Sequence, residues 1–269
     1  MNSKDAARGG PRFIVICALV LLTLIAWFYV LWVRAGMMAP STAMPSMTVA
    51  EMAAMASPGF TAWSASHFFF IFAMWAVMMV GMMLPTVTPM LLLYARLAQS
   101  APGLLFASTA WFAGGYLLAW TGFSLFATIA QYGLERLALL TPMIEGVSRV
   151  FGGAVLVAAG LYQWTPLKNA CLSQCRAPLS FVQQHGGFRP HKMQALRLGF
   201  LHGGYCVGCC WALMALLFVG GVMNIFWIAG LMIIMLAEKI MPGGRALSRI
   251  VGVAAIAGGL WYFAGVLYP

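Results

Sequence analysis

Residues 13–33 run for a full membrane thickness without a single charge, and six further stretches of the chain do much the same. About 20 consecutive apolar residues are needed to cross the hydrocarbon core as a helix. Segments 13–33, 68–92, 104–130, 150–167, 198–220, 223–237 and 250–267 qualify, the sixth being short and closed by Glu238-Lys239. Only 7% of the residues are charged, against roughly a quarter in a soluble domain. In lipid, backbone groups must be satisfied within helices or closed barrels, and continuous apolar runs of this length fit helices. The expected fold is all-α, a polytopic membrane helix bundle of about seven spans.

Charge placement orients the bundle. With the N-terminus inside, twelve Lys and Arg residues fall on inner segments, and only Arg34, Arg136 and Arg149 fall outside. This follows the positive-inside rule and puts the C-terminus outside. The formal net charge of +10 therefore reports orientation and contact with anionic lipid, not nucleic acid. Segment 13–33 follows a basic lead but exceeds the ~7–15 apolar residues of a cleaved signal peptide. It reads as an uncleaved signal anchor. The expected organisation is an anchor and Met-rich outer segment over residues 1–60, then a six-helix membrane domain over 61–269. A cytoplasmic Cys/His loop at 168–197 interrupts that domain.

Two spans carry matching sulfur ladders. Met74, Met78 and Met82 are four apart around Trp75, and Cys206, Cys210 and Met214 are four apart around Trp211. Residues four apart share one helix face. Soft thiolate and thioether ligands select soft metals, Cu(I) above all. For a single Met the simpler role is flexible packing; the ladder as a whole points to metal. Further matches keep the same order: Glu135-Arg136 with Glu238-Lys239, and Ser148-Arg149-Val150-Phe151-Gly152 with Ser248-Arg249-Ile250-Val251-Gly252. An inverted repeat of three helices, spans 2–4 and 5–7, is expected. Its binding site would lie near mid-membrane.

The densest local motif is His202-Gly203-Gly204-Tyr205-Cys206-Val207-Gly208-Cys209-Cys210. Cys-x-x-Cys is a metal and redox spacing, although buried cysteine also serves as a small hydrophobe. His202 is either a fourth ligand or a hydrogen-bonded core histidine. In the loop, Cys171 and Cys175 stand one helical turn apart and could share a metal. Neighbouring Lys168 and Arg176 favour the thiolate there. Residues 35–60 hold Met37, Met38, Met44, Met47, Met52 and Met55, a copper-collecting arm or an interfacial helix. Glu238 and Lys239 could form an ion pair or part of an exit path, but most such pairs are interfacial anchors, and no chemistry is assigned to them.

Met82-Met83-Leu84-Pro85, the segment from Trp164 through Cys171 and Cys175 to Pro178, and Gly208-Cys209-Cys210-Trp211 resemble a bacterial family of uncharacterised, predicted metal-binding integral membrane proteins. The resemblance covers roughly residues 65–267. It implies a metal and an inner-membrane location, but no reaction. The metal ligands expected are Cys171, Cys175, His202, Cys206, Cys209, Cys210, Met74, Met78, Met82 and Met214. Cu(I) is the expected metal, with zinc the alternative. Besides the lipid bilayer, the expected partner is a metallochaperone or metalloenzyme.

Three functions follow. The first is a Cu(I) handler that transports the ion or delivers it to another membrane protein. The second is a membrane thiol–disulfide oxidoreductase, and the third a structural subunit of a membrane complex. No phosphate loop or run of paired carboxylates is present, which argues against a primary pump or a hydrolase.

Overall fold

In a computed structural model, residues 3–38, 63–98, 105–137, 149–188 and 191–267 are described, and no strand occurs among them. The helices are α1 (Ser3–Met38), α2 (Ala65–Ala98), α3 (Leu105–Arg136), α4 (Arg149–Tyr162), α5 (Pro166–Arg176), α6 (Pro178–Gln184), α7 (Lys192–Ala215), α8 (Leu217–Gly220), α9 (Ile225–Ile240) and α10 (Gly244–Leu267). Residues 39–62 of the Met-rich arm lie outside the described residues.

Five stretches are long and apolar enough to cross a membrane: Phe13–Gly36, Ala65–Ala98, Ser108–Arg136, Lys192–Gly220 and Gly244–Val266. A sixth is the pair α4 and α5, if the 64° bend between them lies within one span. At 16 residues, α9 is about 24 Å long, short of a ~30 Å hydrocarbon core.

The bend has a local cause. Pro166 cannot continue α4, because it lacks the amide hydrogen and clashes with the preceding turn. Thr165 instead caps a new helix, its hydroxyl accepting from the Lys168 amide at 3.2 Å. The segment expected as a loop over 168–197 is thus largely helical. It folds α5 back along α7.

Glycines let two helix pairs approach closely. A Cβ on Gly199 would stand 1.9 Å from the Phe112 carbonyl oxygen, and one on Gly115 would stand 2.0 Å from that of Leu196. These positions seat α3 against α7, backbone on backbone, as small residues do in membrane bundles. In the second pair, Gly153 and Gly160 of α4 face Gly259 and Gly252 of α10 reciprocally.

The helices enclose one sulfur-rich core. Met74, Met78, Met79, Met82 and Met83 of α2 are buried in it together with Cys206, Cys209, Cys210 and Met214 of α7. Pro85 and Pro89 lie inside α2, which continues through both. Beside them, two hydroxyls bond back to the helix: Thr86 donates to the Met83 carbonyl at 2.9 Å and Thr88 to that of Leu84 at 3.0 Å.

A candidate metal centre

On α7, Cys206 and Cys209 are three residues apart, so their sulfurs leave the same face about one turn apart. The fold-back of α5 brings Cys175 to that face. The sulfurs of Cys175, Cys206 and Cys209 all lie within 4.8 Å of one another, and Cys175 and Cys209 are 4.0 Å apart. With metal–thiolate bonds of about 2.3 Å, three sulfurs around one ion stand roughly 4 Å apart. The trio therefore matches the size of a metal site. Cys206 and Cys209 are buried and Cys175 is partly so.

Groups from three other helices surround Cys206. The Lys239 ammonium of α9 donates to its sulfur at 3.0 Å and to the Thr86 hydroxyl of α2 at 3.0 Å. The Tyr116 hydroxyl of α3 lies 3.2 Å from the same sulfur. One fixed positive charge thus stands against the negative charge that bound thiolates would bring into an apolar bundle. Without such a partner, buried charge is costly.

Lys239 is held in place from behind. Its neighbour Glu238 pairs with Lys168 of α5 at 2.8 Å, with both side chains almost fully buried. Gln163 hydrogen-bonds both partners. Removing one member of such a pair strands the other charge, which costs about 3–5 kcal/mol. Arg176 donates to the carbonyls of Met241 and Pro242 at 2.7 and 2.9 Å, tying the end of α5 to the end of α9. Free carbonyls at a helix C-terminus attract such a cation. Gly244 fits this corner because a Cβ there would lie 2.0 Å from the Glu238 oxygen.

The sequence expectations sort as follows. Cys175, Cys206 and Cys209 converge. Cys171 does not join them; its sulfur packs over Gly208, 2.8 Å from where a Cβ would stand. Cys210 turns its thiol to the Cys206 carbonyl at 3.0 Å, and Cys209 donates to that oxygen at 3.1 Å. His202 lies buried one turn before Cys206, ringed by Phe112, Tyr116 and Phe181. Met74, Met78, Met82 and Met214 are each 1% exposed, within the core.

Lys239, Tyr116 and Thr86 were missed by sequence reasoning. Glu238-Lys239 looked like an interfacial anchor, and the cations expected to serve the thiols were Lys168 and Arg176. Instead, Lys168 is spent on Glu238 and Arg176 on carbonyls. The available signal was a lysine two residues past an apolar run, after Glu238; an ionisable group within membrane depth is a functional candidate by default.

Residues 72–262 match the model of a family described as PpoB2, copper chaperone. No curated protein and no solved structure matches the chain.

Proposed function

Because the chain belongs to the PpoB2 copper chaperone family, we propose that it carries Cu(I) as cargo between the thiolates of Cys175, Cys206 and Cys209 and delivers it to a metalloenzyme or metallochaperone at the membrane. The carrying observation is the three-sulfur cluster buried in an apolar bundle. Three sulfurs without an obvious fourth suit Cu(I), which prefers soft ligands, better than zinc, whose structural sites are four-coordinate. Binding requires the thiols to lose their protons. Lys239 offsets part of the resulting charge. When Cys209 turns to the metal, Cys210 still donates to the Cys206 carbonyl.

The methionines of α2 supply the approach. Thioethers hold Cu(I) more weakly than thiolates, so an ion taken up along Met74, Met78 and Met82 runs downhill to the cysteines. The bundle sits in the bacterial inner membrane with its N-terminus inside and its C-terminus outside, which requires the 16-residue α9 to complete a crossing in a locally thinned bilayer. Reporter fusions after Arg197 and at Pro269 then read opposite sides; one side for both defeats this orientation.

The direct test is metal analysis and X-ray absorption of the reduced, purified protein. One Cu(I) per chain in an all-sulfur, three-coordinate shell is expected, and a metal-free or four-coordinate zinc protein overturns the reading. A second reading, thiol–disulfide oxidoreductase, rests on the 4.0 Å between Cys175 and Cys209. Joining those sulfurs releases two electrons and two protons to an acceptor such as a quinone. That reading predicts mixed disulfides trapped by Cys209→Ser and no stoichiometric copper.

A further inference from the structure

One buried nitrogen beside the sulfur cluster has no hydrogen-bond partner among the described residues. His202 is 3% exposed, and its Nδ1 makes no hydrogen bond among the described residues. Buried polar atoms are nearly always satisfied, so an orphan in a native fold calls for an explanation, a bound ion among them. Three aromatic rings hold the imidazole, with centroids at 4.9 Å for Phe181, 6.0 Å for Phe112 and 6.1 Å for Tyr116. It stands four residues before Cys206, on the same face of α7.

His202 also lines a cavity of about 220 Å³, and Cys206, Cys175 and Met90 share its wall. Cys209 does not line it. Two of the three clustered thiols thus face two spaces. On one side they meet Cys209; on the other they share a cavity wall with the His202 imidazole and the buried Met90 thioether. Imidazole, thiolate and thioether together form a donor set that Cu(I) accepts.

We propose that this cavity is a second Cu(I) position, a transfer station in which His202 and Cys206 hold the ion with Met90 as a supplementary donor. The proposal rests on the copper reading of the three-thiol cluster and adds its way out. Cys206 stays bound throughout. The bonds from copper to the Cys209 and Cys175 sulfurs break as bonds to the His202 nitrogen and the Met90 sulfur form, and each freed thiolate takes up a proton from solvent. Copper remains Cu(I), so no electron moves. A closed three-thiolate site releases its ion slowly. Exchange through a shared ligand lets a receiver take the ion from a weaker site without stripping three thiolates at once.

The test uses the full-length reduced protein in detergent, loaded with one and then two equivalents of Cu(I), with a chromophoric Cu(I) chelator as receiver. Two variants, His202→Asn and His202→Phe, guard against a folding defect in either. Both are expected to keep the first equivalent with affinity within about twofold of wild type and to pass it to the chelator at least about tenfold more slowly. They also lose the second equivalent, together with the nitrogen scattering that X-ray absorption shows in the doubly loaded wild type. Unchanged transfer rates in both variants overturn the station. So does loss of the first equivalent as complete as in Cys209→Ser, since it places His202 in the primary site. Wild-type protein that binds no copper defeats the cluster reading itself and is distinguished by that result.

Discussion

Helices α2 and α7 carry nearly the same stripe of sulfur and tryptophan, yet their surroundings differ. On α2, Trp75 is fully buried and donates to Gln131 at 2.8 Å. Its counterpart on α7, Trp211, is 43% exposed and meets Tyr162 edge-on. The methionines of α2 line the apolar core. The cysteines of α7 meet an ammonium, a phenol and a third thiol, each from a different helix. The difference teaches that matching sulfur ladders need not have matching surroundings. A site forms where another element folds back to complete the set and balance its charge, which α5 and α9 do for α7.

The largest effect separates the two ladders by copper content. Cys206→Ser with Cys209→Ser should take bound Cu(I) from about one per chain to near zero in elemental analysis. Met78→Leu with Met82→Leu, which keeps volume, should leave equilibrium content intact and slow only uptake. Equal losses in both double variants would show that the methionines are ligands of the same site, and the contrast would fail.

A stability comparison follows. Gly199→Ala of α7 drives a methyl into the Phe112 carbonyl, whereas Gly81→Ala of α2 meets only side chains, the Ala26 Cβ at 3.3 Å and the Trp27 ring from 3.6 Å. Overpacking against backbone should cost about 3 kcal/mol at Gly199 and under about 1 kcal/mol at Gly81. Thermal unfolding in detergent reads both. A tolerated Gly199→Ala would mean that α3 and α7 are looser than described.

Smaller effects test the shell around Cys206. Lys239→Met removes the cation at its sulfur and should weaken Cu(I) affinity about tenfold, the usual range for an outer-shell partner. Competition against a chelator of known affinity measures it. Cys210→Ser retains a hydroxyl able to donate to the Cys206 carbonyl and should shift affinity by less than about twofold. If Cys210→Ser costs more than Lys239→Met, Cys210 belongs to the ligand set after all.

Several of these features were visible in the residues. The apolar runs, the Met face of α2 and the spacing of Cys206 and Cys209 could be read directly, because helical period alone determines which residues share a face. The burial of Met74, Met78 and Met82 follows from that period. The pairing of Cys171 with Cys175 was the nearest guess available from spacing, and one turn of helix does separate them. The structure instead sets both against α7 at different points, Cys175 beside Cys209 and Cys171 over Gly208.

By itself, then, the sequence determined an all-helical apolar bundle and the soft chemistry of its interior, since both depend on local composition and on a repeat of 3.6 residues. Only the tertiary structure decided which sulfurs meet and which cation serves them. Cys175 reaches Cys209 across 34 residues, Lys239 reaches Cys206 across 33, and Tyr116 reaches the same sulfur across 90. No periodicity encodes those separations. They come from a proline-forced bend, a glycine-to-backbone helix contact, and a buried ion pair that holds Lys239 where the thiols are.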